Sequence, residues 1–196
     1  INYYQSMKEP PINSIIVTFV GRLIKDKGIE TLFMAFKKVN RINKNINLLI
    51  AGDIDNSNPS AISKSYIDKE LRENKNISWL GNVKNVKELW SKSHIAVLPS
   101  RREGLPKSLL EAAASGKPII ATDVPGCREI AINNYNAITT SLDNADELAD
   151  AIKYLASNHK IRKQFGFNSR VLVERDMSEE IIVNKTISIY ESLYKS

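Results

Sequence analysis

Short, continuous apolar runs that alternate with amphipathic stretches are the feature that most restricts how this chain can fold. The runs predicted as strands lie at 14–20, 46–51, 77–80, 94–98, 118–122 and 136–140. Their hydrophobicity is continuous rather than alternating, which is typical of parallel strands buried on both faces. The pattern predicts an α/β fold, with a Rossmann-like, doubly wound parallel sheet of about six strands flanked by helices.

The stretches between the runs have helical periodicity. After the first run, Ile29, Leu32, Phe33 and Phe36 recur at the spacing of one helical face. Further helices are predicted at about 60–73, 84–92, 106–115, 145–157, 160–174 and 178–194, the last one with Ser178 as its N-cap. In a doubly wound sheet, ligands bind at the carboxyl ends of the strands, so the loops that follow the strands are where functional residues are expected.

Composition and charge exclude several other classes of protein. The one cysteine, Cys127, cannot form an internal disulfide, so we interpret it as a small, partly buried residue rather than a nucleophile and expect a cytoplasmic location. The apolar runs are far shorter than the roughly 20 residues that cross a bilayer, and a soluble domain is expected. The net charge of +6 favours anionic partners without choosing among phosphates, nucleic acid and membrane surfaces.

The first residues indicate a segment of a longer protein. The chain begins with Ile1 rather than Met, and a Pro pair follows at 10–11. We interpret residues 1–12 as a linker from a missing N-terminal domain, and residues 13–196 as the folded domain.

The loop after the first strand contains two cations beside a predicted helix N-terminus. Gly21 and Arg22 end the strand, and Lys27 and Gly28 lead into the helix. Neither a Gly-rich dinucleotide fingerprint nor a Walker loop is present. A guanidinium, an ammonium and free helix N–H groups suit a diphosphate, although two solvated loop cations would give the same pattern.

The loop after the fourth strand places two glutamates at either end of a short stretch. Gly104 allows the backbone to approach a ligand, and Pro106 suits the first turn of a helix that contains Glu111. Glu103 and Glu111 are separated by about 12 Å if the stretch is helical, so they suit two parts of one elongated ligand. Free N–H groups from about Leu105 to Leu109 would face an anion, and each carboxylate can accept bonds from sugar hydroxyls; Glu111 as a plain exposed charge is the alternative.

Three segments carry a resemblance to a known family: "VGRLIKDKGIETLFMAF", "SWLGNVKNVKELWSKSHIAVLPSRREGLPKSLLEAAASGKPIIATDVPGCREI" and "ISIYESLY". Together they resemble the C-terminal, donor-binding domain of retaining GT-B glycosyltransferases of family 4, from about Ser14 to the end of the chain. One segment departs from the family pattern. After the second strand the chain has "AGDIDNSNPSAIS" in place of a Gly-x-Gly-Pro type turn, so no donor contacts are carried over to it.

The resemblance implies roles for individual residues of the donor site. Arg22 and Lys27 correspond to the cations that hold the donor diphosphate and stabilise the departing nucleotide. Glu103 corresponds to the glutamate beside the donor sugar, and Glu111 to the one that binds the ribose. The remaining donor contacts are implied for the backbone at Gly104, Leu105 and Ser108, and for the nucleobase at Asn82 and Val83.

The resemblance also implies the reaction, retaining sugar transfer by a full-length enzyme without cofactor or catalytic metal. His94 and His159, which lack metal-ligand spacing, are expected to be structural or exposed. Glu103 is the local candidate for a covalent route, and a front-face route is the family's usual one. A UDP-linked hexose or N-acetylhexosamine is the preferred donor and GDP-mannose the alternative. The isolated domain is expected to transfer no sugar.

The partners implied are the nucleotide-sugar donor and, through the missing domain, a glycan or polyprenyl-linked acceptor in bacterial capsule or lipopolysaccharide assembly. A lipid-linked acceptor would allow peripheral association with the inner face of the plasma membrane, and Arg101 and Arg102 could then meet an acceptor phosphate or simply be solvated.

Two alternatives to the enzyme remain open at this point. One is a noncatalytic nucleotide-sugar-binding regulatory module. The other is a nucleic-acid binder, which lacks a motif and an aromatic platform, since Trp79 and Trp90 are interpreted as packing residues.

Overall fold

The computed structural model describes residues 9–11 and 13–194, and within them it contains one six-stranded sheet. The strands are β1 (Ile15–Val20), β2 (Ile46–Ala51), β3 (Ile77–Trp79), β4 (Ile95–Leu98), β5 (Ile119–Thr122) and β6 (Ala137–Thr140). All five strand pairs are parallel, and the order is β3-β2-β1-β4-β5-β6. This is the Rossmann strand order, which confirms the predicted fold class.

Eight helices of the described region connect and cover the strands. They are α1 (Ile29–Ile42), α2 (Lys64–Glu73), α3 (Val86–Lys92), α4 (Lys107–Ala114), α5 (Pro125–Arg128), α6 (Ala145–Ser157), α7 (His159–Asp176) and α8 (Glu179–Tyr194). A single 3-10 turn, Lys25–Lys27, precedes α1. None of the helices in the described ranges combines the length and the apolar character that crossing a bilayer requires.

The core forms where both sheet faces are covered by helices. Every residue of β4 and β5 is buried, as expected for strands packed on both sides. The predicted apolar face of α1 is fully buried: Ile29, Leu32, Phe33 and Phe36 all belong to the core. Trp90 is buried in the same core. Trp79 packs against this core, and the Nε1 of Trp79 donates to the Gly52 carbonyl at 2.8 Å. Both tryptophans therefore pack as the sequence predicted.

The predicted element boundaries were wrong at one helix, and one helix was missed. The second helix starts at Lys64 rather than near residue 60, because Asn58 to Ala61 form a turn and Ser63 is the N-cap, accepting a bond from the Tyr66 N–H. The four-residue helix α5 is too short to give a periodic signal. Ser178 does cap α8, since its Oγ accepts from the Ile181 N–H at 3.4 Å.

The predicted linker, residues 1–12, lies mostly outside the described residues. Of its described part, Glu9 forms an ion pair with Arg162 on α7 at 2.8 Å, and its Oε2 lies 2.8 Å from Nε2 of His159 on the same helix. Its assignment as a linker between domains stays a prediction.

Candidate functional site

Two loops meet where the strand order reverses, between β1 and β4. The chain leaves β1 toward β2 on one side and leaves β4 toward β5 on the other, which opens a crevice at the carboxyl edge of the sheet. Gly28, with φ 69°, lies against the second loop, and a Cβ there would come within 1.9 Å of the Pro99 carbonyl oxygen. The Arg101 N–H also donates to the Asp26 carbonyl at 2.8 Å. The loops 21–28 and 99–106 are therefore packed together through their backbones.

An ion pair joins the two loops inside the crevice. Lys27 Nζ lies 2.6 Å from Glu103 Oε1, and the two side chains are only 20% and 9% exposed. The predicted roles were separate, with Lys27 at the diphosphate and Glu103 beside the donor sugar. The structure brings the two side chains into direct contact. The ammonium has three N–H donors, so pairing with Glu103 leaves donors for a further anion.

Arg22 lies at the mouth of the crevice and has a partner that the sequence did not predict. Its guanidinium is 61% exposed and bonds Asp55 Oδ2 at 2.7 Å. A hydrogen bond from the Ser57 hydroxyl, and then the bond from Arg22, lower the pKa of Asp55. Asp55 belongs to the loop that departs from the family pattern. The sequence signal that could have identified Asp55 is its position just after a strand that neighbours β1.

The predicted nucleobase contacts lie further along the same edge. Asn82 and Val83 follow β3, two strands away from β1, in the loop that leads to α3. The end of β3 is joined to the end of β2 because the Gly52 N–H donates to the Gly81 carbonyl at 2.7 Å. Asn82 is exposed and Val83 is half-buried, so this loop offers an accessible surface at the side of the crevice.

Gly126 packs against the backbone of Gly104, but the space around the two glycines differs. A Cβ on Gly104 would meet no atom within 4 Å, so no protein contact requires glycine there. A Cβ on Gly126 would lie 2.1 Å from the Gly104 carbonyl oxygen, so Gly126 supports the Glu103 to Gly104 peptide from behind. Gly126 belongs to one of the segments that carry the family resemblance, but no role was predicted for it.

Cys127 lies directly after Gly126 and is fully buried with a free thiol. Burial, with the nearby charge of Glu103, raises its pKa to about 12. A thiol that stays protonated at neutral pH is a poor nucleophile, which agrees with the packing role predicted for it.

The N-terminus of α4 points free backbone donors at the open space beside Gly104. Within the described chain, the N–H groups of Gly104, Leu105, Lys107 and Ser108 make no hydrogen bond. The predicted run of free donors was wrong at its end, because the Leu109 N–H donates to the Pro106 carbonyl at 3.0 Å. The remaining donors and the positive end of the helix suit an anion.

Glu111 lies just over one turn into α4, on its half-buried side. Burial raises the pKa of its carboxyl, and Lys107, 3.8 Å away at the (i, i+4) position, partly opposes that rise. The indole of Trp90 lies close enough to act in the same direction as Lys107, but its Nε1 makes no hydrogen bond of normal geometry within the described residues. Glu111 is therefore a shielded acceptor rather than the plain surface charge of the alternative interpretation.

The two arginines after β4 are both exposed and paired. Arg101 bonds Asp143 at 3.0 Å, and Arg102 bonds Asp26 at 3.1 Å. A contact from either arginine to an acceptor phosphate stays a prediction. In the described part of the chain, no group of three or more His, Cys, Asp or Glu side chains has the geometry to hold a metal ion.

Comparison with known proteins identifies the family to which the chain belongs. The family model for glycosyl transferases group 1 matches residues 5–171. A capsular polysaccharide biosynthesis glycosyltransferase of Staphylococcus aureus is 28% identical over 93% of this chain and 47% of that protein. An N,N'-diacetylbacillosaminyl-diphospho-undecaprenol alpha-1,3-N-acetylgalactosaminyltransferase of Campylobacter jejuni is 29% identical over 92% of this chain and 46% of that protein. The chain spans about half the length of the curated relatives it matches.

Solved structures agree on the fold. HepE from Anabaena, in complex with UDP and glucose, superposes with a TM-score of 0.77 at 19% identity, over 92% of this chain and 48% of that one. The six-stranded parallel sheet is that of the C-terminal domain of a GT-B fold. With the family model matched along most of its length, this chain belongs to the glycosyl transferases group 1 family.

Proposed function

We propose that this chain is the donor-binding half of a retaining glycosyltransferase that moves a sugar from a nucleotide diphosphate to a glycan or lipid-linked acceptor. The observation that carries this proposal is the crevice between β1 and β4. There the Lys27 ammonium, the Glu103 carboxylate and the free N–H groups at the start of α4 converge from two loops. This combination offers donors to an anion and an acceptor to sugar hydroxyls within one cleft.

The proposed donor lies across the crevice with its diphosphate between the two loops. Lys27 and Arg22 supply positive charge to the diphosphate, and the Ser108 N–H at the start of α4 supplies a neutral donor. Since charge grows on the leaving nucleotide as the glycosidic bond breaks, these groups stabilise the transition state more than the ground state. Arg22 is already paired with Asp55, so the diphosphate competes with that carboxylate for the guanidinium.

The sugar and the ribose occupy the two ends of the site. The space beside Gly104 and the N–H groups of Gly104 and Leu105 accommodate the sugar, next to Glu103. Glu111 accepts bonds from the ribose hydroxyls, and Asn82 and Val83 border the nucleobase. These assignments rest on the family resemblance and on the common edge of the sheet that these residues share.

Glu103 is better suited to position the sugar than to attack it. Its carboxylate is bonded to Lys27 at 2.6 Å, and a carboxylate held by an ammonium is a weaker nucleophile. This favours the front-face route to retention over a covalent intermediate. No metal or cofactor is proposed.

UDP-hexose or UDP-N-acetylhexosamine is the proposed donor, and GDP-mannose is the alternative. The UDP complex of the Anabaena protein and the N-acetylgalactosaminyl transfer named for the Campylobacter relative support the first choice. The same relatives support an acceptor in capsular polysaccharide biosynthesis or one linked to undecaprenol. Peripheral association with the inner face of the plasma membrane is part of this proposal, because a lipid-linked acceptor would lie there. Acceptor binding and turnover are assigned to the other half of the full-length protein, so this chain alone is expected to be inactive.

A thermal-shift titration of the 196-residue chain with UDP, GDP and ADP tests the donor site. A ligand at about 100 times its dissociation constant adds roughly 2.7 kcal/mol of stability, which is several degrees of Tm for a domain of this size. We expect UDP to give the largest shift, and Arg22→Ala and Glu111→Gln each to weaken UDP binding roughly tenfold or more. Comparing the affinities for UDP and 2′,3′-dideoxy-UDP tests the contribution of Glu111 alone. The unmodified chain should prefer UDP, and Glu111→Gln should lose that preference because the carboxylate no longer accepts from the ribose hydroxyls.

Two results would decide against parts of this proposal. If no nucleotide binds either this chain or the full-length protein, the crevice is not a nucleotide-sugar site. If the full-length protein binds the donor but transfers no sugar to any of the glycan and lipid-linked acceptors offered, the result favours the noncatalytic regulatory module. Lys69→Met, at a 61% exposed position of α2 outside the two loops of the crevice, is the matched control for removing one positive charge.

A further inference from the structure

A second concave site lies at the opposite, amino edge of the sheet. It is a cavity of about 580 Å³, bordered by the residue before β4, by the connection from α4 to β5, by residues 159–170 of α7 and by Glu9. The proposed donor site uses the carboxyl ends of the same strands. The sheet therefore separates the two sites, and nothing in the donor mechanism uses the cavity.

The lining of this cavity is strongly cationic. Among the described residues, four Lys or Arg side chains border it (Lys117, Arg162, Lys163 and Arg170), and Glu9 is the acidic residue of that lining. Arg170 also pairs with Glu174, which lies outside the lining, at 2.6 Å. Both oxygens of Glu9 are already engaged, since Oε1 bonds Arg162 and Oε2 bonds His159 at 2.8 Å each. With Arg162 paired to Glu9 and Arg170 paired to Glu174, the positive charge of the lining that no carboxylate of the described residues bonds is that of Lys117 and Lys163.

Lys117 is the most unusual member of this lining. Its side chain borders the cavity, the residue is only 2% exposed, and its ammonium forms no hydrogen bond or ion pair with any residue that the structure describes. Burial lowers its pKa to about 8, and the charge of Glu9 opposes only part of that effect. A buried ammonium without an acceptor is costly, and it is stabilised most by an anion that enters the cavity.

His94 adds a second buried donor beside Lys117. Its Nδ1 accepts the Ile16 N–H at 3.1 Å, so the proton of the neutral ring is on Nε2. Burial lowers its pKa and keeps the ring neutral. Nε2 has no hydrogen-bond partner of normal geometry among the described residues, although the backbone of Pro10 lies nearby.

We propose that this cavity is a binding site for a small molecule that carries a phosphate monoester, with the phosphate held by Lys117 and His94. A dianionic phosphate matches the excess of positive charge, and its oxygens accept from both an ammonium and an imidazole N–H. The apolar side of the cavity, with Pro118 and Phe167, suits the organic part of the molecule. Since Lys117 is only 2% exposed and borders the cavity, a compact phosphate suits it better than the phosphate backbone of a duplex nucleic acid.

The two histidines provide a readout that is specific to this cavity. His94 and His159 are the only histidines in the sequence, and both border it. The test is to follow their imidazole resonances by NMR while inorganic phosphate or glycerol phosphate is added at constant ionic strength. We expect the His94 signal to move saturably with both probes, and more tightly with the monoester.

Three variants assign the binding event. Lys117→Met should weaken the phosphate-induced shift of His94 at least about tenfold, as expected for a lost bond to a charged donor. Arg22→Ala, at the proposed donor site, and Lys69→Met, on the surface of α2, should leave it unchanged. Circular dichroism shows whether each variant is folded. If one is not, the titration of the unmodified chain still tests the proposal.

Several outcomes would overturn the proposal. They are the absence of any saturable His94 shift, a shift retained in Lys117→Met, or a shift lost in Arg22→Ala. Movement of His159 alone without saturation would indicate ionic screening of its pair with Glu9. If phosphatidylglycerol vesicles bind and both soluble probes do not, the phosphate belongs to a lipid headgroup, and a small soluble ligand is excluded.

Discussion

The two edges of the sheet treat positive charge in opposite ways. At the carboxyl edge, Arg22 and Lys27 each bond a carboxylate from another loop, Asp55 and Glu103. At the amino edge, Lys117 is more deeply buried than either and bonds to nothing in the described chain. The same scaffold therefore holds cations that are balanced and accessible on one side, and a cation that is unbalanced and recessed on the other.

The difference follows from how each edge is built. The carboxyl edge consists of loops that pass one another closely, so a side chain on one loop finds a partner on the next. The amino edge consists of short connections from helix to strand, such as the one that places Lys117 two residues before β5. A residue there points into the space between the helices, where the described lining consists of α7, Glu9, His94 and the connection from α4 to β5. Close loop packing and a deep, open cavity are thus properties of opposite ends of the same strands.

The largest expected effect tests the close packing of the loops at the carboxyl edge. Gly28→Ala places a Cβ 1.9 Å from the Pro99 carbonyl oxygen at a residue with φ 69°, so both the contact and the backbone conformation are unfavourable. We expect the free energy of unfolding to fall by at least about 3 kcal/mol, measured by urea denaturation.

Gly104→Ala is the matched control for that substitution. It lies in the partner loop, where a Cβ would meet no atom within 4 Å. Its unfolding free energy should change by less than about 0.5 kcal/mol, while nucleotide-sugar binding falls. Equal destabilisation by the two substitutions would show that the loops are not packed as described.

The sequence predicted the sheet and the edge that carries the loops, because continuous apolar runs and the Ile29 to Phe36 periodicity report directly on burial. It did not predict the contacts that depend on tertiary structure. Nothing in the local sequence shows that Lys27 and Glu103, 76 residues apart, bond each other, or that Asp55 reaches Arg22. The same holds for the histidines, because His94 and His159 are far apart in the sequence and yet border one cavity.

Lys117→Met tests the unbalanced charge of the amino edge and is expected to be stabilising. Since one pKa unit corresponds to about 1.4 kcal/mol, lowering the Lys117 pKa from 10.5 to about 8 makes the charged form cost on the order of 3 kcal/mol. Methionine fills a similar volume without the charge. In buffer free of phosphate at pH 7, we expect a gain of a few kcal/mol in unfolding free energy.

The pH dependence of that gain identifies its cause. The folded state of the unmodified chain releases the Lys117 proton near pH 8, whereas the unfolded state keeps it until near 10.5. Stability from this group therefore rises with pH across that window. The advantage of Lys117→Met should be full below pH 8 and fade as the pH approaches 10.5. A constant advantage at every pH would indicate better packing by methionine instead of relief of a buried charge.

The smallest effects distinguish two ion pairs that bridge the same two loops of the carboxyl edge. Lys27 with Glu103 is shielded, whereas Arg102 with Asp26 has its arginine 85% exposed. Lys27→Gln leaves the shielded Glu103 carboxylate without its cation and should cost about 1–3 kcal/mol of unfolding free energy. Arg102→Gln should cost at most about 0.5 kcal/mol, and that cost should vanish in high salt, because water already screens an exposed pair. If the two costs are equal, the crevice is open to water, and its cations lose the low-dielectric setting on which their proposed stabilisation of a leaving diphosphate depends.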